Sequence, residues 1–169
     1  NCMVDTLLRY VNAAREHRPW ERFGLKQGGY AMLTLHRPSN VDDAGTLASL
    51  MDSMAEVSRS LPVLFPVHPR TRARLTGLGT GPAPSVTLCA PLPYVEFLGL
   101  MAGARCVLTD SGGIQEETTA LGIDCLTLRD STERPITITQ GTNHLVGTEP
   151  DAIRKHFRQV MDTPTQNNS

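Results

Sequence analysis

The sequence predicts an α/β domain, a mostly parallel Rossmann-like sheet with helices on both faces. Short apolar runs alternate with amphipathic stretches along nearly the whole chain, which reads as strand, helix, strand repeated. The intervening stretches have the length of crossover helices, which right-handed parallel connections require. The 169 residues, 40% of them apolar, suit one domain and leave no room for a second complete one of similar size.

Each element follows from local pattern. Val4, Leu7, Leu8, Val11 and Ala14 recur at helical spacing and Pro19 closes the segment, so residues 4–17 form an opening helix inside a linker region, 1–18. A loop through Gly28 and Gly29 leads to a strand over 31–35. Leu47, Leu50, Met51, Met54 and Val57 then mark a helix, and 63–67 a second strand. Strands over 86–89, 106–108 and 125–128 alternate with helices over 94–102 and 112–121. Leu145-Val146 adds a short strand and residues 151–160 a last helix, so the domain spans 1–162 and the polar tail 163–169 is expected to fray. The run Gly77-Leu78-Gly79-Thr80-Gly81-Pro82 has the glycines of a dinucleotide fingerprint, but it follows a helix and ends in proline, so it reads as a plain loop.

Composition narrows the partner classes. A net charge of -1 without a basic stripe argues against nucleic acid and anionic lipid, and no stretch is long enough to span a bilayer. Cys2, Cys89, Cys106 and Cys125 show no C-x-x-C spacing and read as reduced core cysteines of a cytosolic protein. No phosphate-loop lysine motif or zinc-ligand spacing is present, so neither a metal nor a cofactor is expected. No charged-then-apolar leader is apparent, and the start at Asn1 without a methionine suggests a fragment or a processed chain.

The unusual polar clusters come immediately after the strands, at the carboxyl ends that form the ligand edge of an open parallel sheet. His36-Arg37-Pro38-Ser39-Asn40 follows the first strand, His68-Pro69-Arg70-Thr71 the second, Asp110-Ser111-Gly112-Gly113 the fourth and residues 129–135 the fifth. Either histidine alone reads as well as a structural residue. Two of them, each beside an arginine at equivalent strand ends, suit a phosphorylated ligand. Ser111-Gly112-Gly113 opens a helix where amides and the helix dipole favour an anion such as a diphosphate, or where Ser111 merely caps the helix. Ile114, Thr118 and Leu121 define that helix's inward stripe with Glu117 at its edge, either half exposed or bound to hydroxyls such as a ribose diol; Glu116 reads as solvated. Asp110-Ser111-Gly112-Gly113 also resembles the nucleophile segment of trypsin-like proteases, but that family needs paired antiparallel barrels.

Together the strings Thr34-Leu35-His36-Arg37, Asn40-Val41-Asp42, residues 110–117, Leu121-Gly122, Leu128-Arg129, Thr132-Glu133-Arg134-Pro135, Gly141-Thr142-Asn143 and Leu145-Val146-Gly147 resemble the C-terminal domain of UDP-N-acetylglucosamine 2-epimerases of the non-hydrolysing bacterial type, in order and over nearly the whole chain. The resemblance implies one half of a GT-B-type two-domain fold, with an N-terminal domain absent from this sequence. It implies UDP and a UDP-N-acetylhexosamine as ligands, and it leaves a homodimer of the full-length enzyme open. By position it places Ser111, Gly112 and Gly113 on the diphosphate, Glu117 on the ribose, Phe97 against the uracil and Arg134 near the sugar or phosphates. His36 matches the family's functional histidine at the cleft, whereas Arg37 and His68 match positions that in some members bind a second, activating UDP-GlcNAc. The family's acid and base carboxylates lie largely in the N-terminal domain, so the isolated chain is expected to be inactive. Ser39 stands where the family usually has Glu, Ile136 where an acid is common and Asp124 where Pro is frequent. A hydrolysing epimerase that releases free ManNAc, a non-catalytic UDP-sugar module and a GT-B glycosyltransferase are the alternatives.

Overall fold

The computed structural model describes residues 2–78, 83–130 and 141–163. The opening helix α1 (Cys2–Glu16) runs into a 3-10 turn (Pro19–Phe23), so Pro19 both ends one helix and supplies the preset φ of the next turn. Strand β1 (Ala31–Thr34) is followed by a short helix α2 (Pro38–Val41), again begun by a proline, and by α3 (Ala44–Val57), capped by the Asp43 side chain on Thr46 N. Then come β2 (Val63–Pro66), α4 (Pro69–Gly77), β3 (Val86–Cys89), α5 (Tyr94–Gly103) and β4 (Cys106–Thr109). The described elements close with α6 (Gly112–Leu121), β5 (Asp124–Thr127), β6 (Asn143–Leu145) and a last helix, α7 (Pro150–Asp162). The 3-10 turn and α2 are additions to the sequence reading, and β6 begins at Asn143, two residues before the expected strand.

All pairings are parallel, in the order β3-β2-β1-β4-β5-β6. Side chains alternate across the sheet. Met32, Leu64 and Val107 face a layer of α1, α5 and α6, while Ala31, Leu33, Phe65 and Leu108 face α3, α4 and α7. The first layer is tight: a Cβ on Gly99 would lie 2.6 Å from the Ala14 carbonyl oxygen, and one on Gly103 2.6 Å from Trp20 Cε3. Cys106 and Cys125 are fully buried, and burial pushes their thiols up to about 12 and about 11, the state of inert core cysteines. Among the described residues no helix is long and apolar enough to cross a membrane, and no group of three or more His, Cys, Asp and Glu is placed to hold a metal ion.

The amino edge of the sheet is fastened by a buried arginine. Arg105 Nη2 donates to the carbonyls of Val160 at 2.7 Å and Thr163 at 2.6 Å, holding the end of α7. Its Nη1 lies 3.6 Å from Asp124 Oδ2, and His144 Nε2 is 3.6 Å from the other oxygen. Asp124 therefore has a structural partner on each side. The opposite, carboxyl edge is left for the polar clusters.

Candidate functional site

The order β3-β2-β1-β4-β5-β6 places a topological switch point between β1 and β4, where successive connections leave in opposite directions and open a crevice beyond the strand ends. The His36 segment leaves β1 and the Ser111 segment leaves β4, so the two most unusual polar clusters meet there. Thr34 and Thr109 pair in register, with their hydroxyls 2.7 Å apart, and Thr109 Oγ1 also accepts from Ser111 N at 3.0 Å.

Asp110, with no solvent exposure, ties the two segments together. Its carboxylate accepts from His36 N at 3.0 and 3.1 Å, from Arg37 N at 2.9 Å and from the buried Asn40 Nδ2 at 3.0 Å. Its carbonyl accepts from Arg37 Nε at 3.3 Å, which turns the arginine toward the end of β4. The His36 side chain is exposed at the mouth of the crevice.

A cleft of about 490 Å³, in the size range of small-molecule sites, is lined by His36, His68 and Phe97 among others. His68 caps α4: its Nδ1 accepts from Arg70 N at 3.1 Å, so a neutral ring carries its proton on Nε2. Asp42, also on the cleft, receives Arg70 Nη2 at 3.1 and 3.2 Å and Arg74 Nη2 at 3.2 Å, which fixes α4 against the end of α2. Phe97 is half-buried on α5, packed against the core layer that contains Leu98 and Leu100.

On α6, Ser111 occupies the N-cap with extended backbone angles, but its side chain makes no capping bond. The amides of Gly112, Gly113 and Ile114 precede the first intrahelical bond, from Gln115 N to Ser111 O at 3.4 Å, so they form the donor-rich end of the helix. Glu117, one turn further, is only 7% exposed, and its Oε2 has no hydrogen-bond partner among the described residues. Burial pushes its carboxyl above the usual carboxylate range; the Tyr94 hydroxyl opposes that shift and the neighbouring Glu116 charge adds to it. Glu116 is half-buried rather than solvated. The buried Gln115 accepts from Asn143 Nδ2 at 3.0 Å, and Thr127 Oγ1 donates to Asn143 Oδ1, which locks α6 onto β5 and β6.

The structure thus gathers His36, His68 and Phe97 on one cleft and puts Ser111, Gly112, Gly113 and Glu117 on the adjacent helix start, with Arg37 turned toward the strand end between them. Arg134 and Ile136 lie outside the described residues. Sequence reasoning assigned no role to Asp110, Asn40 or Tyr94. A charged residue directly after a short, mostly apolar strand was the available signal for Asp110, and nothing local marked the other two.

A family model for UDP-N-acetylglucosamine 2-epimerase matches residues 1–169. The chain is 35% identical to the UDP-N-acetylglucosamine 2-epimerase of Methanococcus maripaludis over 170 residues, covering 95% of this chain and 46% of that protein. It is 38% identical to the UDP-2,3-diacetamido-2,3-dideoxy-D-glucuronate 2-epimerase of Pseudomonas aeruginosa over 141 residues, 83% of this chain and 39% of that one. The crystal structure of the Methanocaldococcus jannaschii UDP-GlcNAc 2-epimerase in complex with UDP-GlcNAc and UDP superposes with a TM-score of 0.86 at 32% identity, covering 100% of this chain and 50% of that one. The Escherichia coli heptosyltransferase WaaC with ADP, at 16% identity and a TM-score of 0.56 over 80% of this chain and 45% of that one, shares the GT-B type of fold. The chain spans about half the length of the relatives it matches. With the family model extending over every residue, the chain belongs to the UDP-N-acetylglucosamine 2-epimerase family.

Proposed function

We propose that this chain is the UDP-binding half of a UDP-N-acetylglucosamine 2-epimerase acting in the cytosol, interconverting UDP-GlcNAc and UDP-ManNAc. The observation that carries the reading is the pairing, within one helix at the switch point, of a donor-rich start and a buried carboxylate with one oxygen that lacks a partner among the described residues. The start of α6 suits a diphosphate, and the Glu117 carboxylate accepts from a ribose hydroxyl that would give its Oε2 a partner. Phe97 offers a ring at the cleft for the uracil, and His36 stands at the mouth where the sugar would lie.

In this reaction the C2–H and C1–O bonds break. The proton passes to a base, a C1=C2 double bond forms and UDP leaves with the C1–O electron pair. A proton then returns to the opposite face of C2 as the UDP oxygen attacks C1. Amides that hold the departing diphosphate gain strength as its charge grows, which favours elimination and retains UDP for the return step. The carboxylates for proton transfer at C2 belong in this reading to the other domain, which places the sugar between the two halves.

A second reading is favoured by the 38% identity to the diacetamido-glucuronate 2-epimerase of Pseudomonas aeruginosa: the same UDP site serving a different 2-acetamido sugar. Incubating the full-length protein with UDP-GlcNAc in D2O separates the outcomes. UDP-ManNAc deuterated at C2 supports the proposal, and free ManNAc with UDP indicates a hydrolysing enzyme. Turnover of the diacetamido-glucuronate substrate alone favours the second reading.

A further inference from the structure

We propose that Asp110 is the positioning residue for His36, holding the His36-Arg37 turn in one register with the start of α6 so that the imidazole keeps a fixed spacing from the diphosphate-binding amides. This rests on the roles given above to His36 and to residues 111–113. The carboxylate accepts from the backbone of His36 and Arg37 and from Asn40 Nδ2, donors that lie 70 to 74 residues away in sequence, and all of them belong to the single turn that presents His36. Arg37 is the N-cap of α2, so the amides of His36 and Arg37 fall outside that helix's own bonds, and Asp110 supplies their acceptor.

The same residue immediately precedes the Ser111 N-cap of α6, so one buried side chain couples the two segments of the site through covalent and hydrogen bonds. Having no exposure, the carboxylate touches no ligand and acts only through what it holds. An acceptor-only group suits a position faced by several N–H donors. An amide in its place would turn an NH2 toward one of them.

The test is a double-mutant cycle in the full-length protein, with Asp110→Asn made alone and together with His36→Ala, and turnover normalised to the fraction that binds UDP. A misplaced reacting group costs on the order of 100-fold, so Asp110→Asn is expected to lower kcat by about 10- to 100-fold with KM nearly unchanged. The same change is expected to cost little in the His36→Ala background, because a residue acting through His36 has nothing left to position. Equal losses in both backgrounds, or a loss confined to KM, would overturn the proposal.

Amide hydrogen exchange gives a readout independent of activity. His36 and Arg37 N–H groups should exchange markedly faster in Asp110→Asn while those of β4 do not, and unchanged protection would also overturn it. If Asp110→Asn does not fold, Asn40→Ala removes one of the donors and should show the same dependence on His36 at smaller size. Full-length protein that turns over no UDP-sugar would defeat the functional reading, and the exchange result would still decide whether Asp110 holds the turn.

Discussion

Replacing Glu117 by Gln should move ligand affinity and apo stability in opposite directions. The carboxylate is 7% exposed, its Oε2 lacks a partner among the described residues and burial raises its pKa, so in the unliganded protein the charge opposes folding. For a group whose folded pKa is raised, the stabilising contribution is fully present below the unfolded pKa and lost as pH rises through the folded value. Above that folded value the ionised Glu117 is therefore a cost, which the substitution removes, and there the variant should melt no lower than the parent. A charged hydrogen bond to a ribose hydroxyl is worth about 1.5–3 kcal/mol, so UDP should bind the variant about 10- to 100-fold more weakly. Parent affinity should also fall as pH drops through the raised carboxyl pKa, whereas the Glu117→Gln variant, with no proton to gain there, should show flat affinity over that range. Titration calorimetry with UDP and thermal melting, each near neutrality and in mildly acidic buffer, measure both. Equal UDP affinities would refute the ribose assignment, and a variant melting several degrees lower would refute the reading of Glu117 as a buried charge only partly compensated by Tyr94.

In the full-length protein His36→Ala should lower turnover by about 100- to 1,000-fold, the range for losing one polar group placed at the reacting centre, with a much smaller change in UDP affinity; steady-state kinetics and calorimetry together check it. Gly103→Ala drives a methyl to 2.6 Å from Trp20 Cε3 and 3.0 Å from the Tyr30 hydroxyl. Such overpacking should cost about 1–3 kcal/mol, read as a lower thermal midpoint. Arg105→Ala removes the guanidinium donor from the Val160 and Thr163 carbonyls and leaves the buried Asp124 without its arginine. It should destabilise by about 3–5 kcal/mol in denaturant unfolding, with part recovered when Asp124→Ala is added.

The strands were legible because those buried on both faces of a parallel sheet must be short apolar runs, and Ala31 through Thr34 or Cys106 through Thr109 could hardly read otherwise. The rim was legible for a related reason: in such a sheet His36, His68 and Ser111 have one common edge to occupy. What escaped was set by distant partners. Asp110 acts on residues 70 or more positions away, and Tyr94 meets Glu117 only after α5 and α6 are packed side by side. Strand β6 begins at Asn143 because Gln115 and Thr127 satisfy that polar side chain in the interior, so polarity there concealed a buried strand. The 3-10 turn at Pro19 and helix α2 at Pro38 escaped because each is only a turn or so long, too short for hydrophobic periodicity to register.

The central claim, that UDP is held at the switch point between β1 and β4, is tested most directly by titrating the isotopically labelled chain with UDP and following backbone amide shifts. Saturable shifts are expected to concentrate at Ser111, Gly112, Gly113 and Glu117, with weaker ones at Phe97. None is expected in the groove that Glu56, Arg154 and Phe157 line between α3 and α7 on the opposite layer. Shifts clustered in that groove, with residues 111–117 unmoved at saturation, would contradict it.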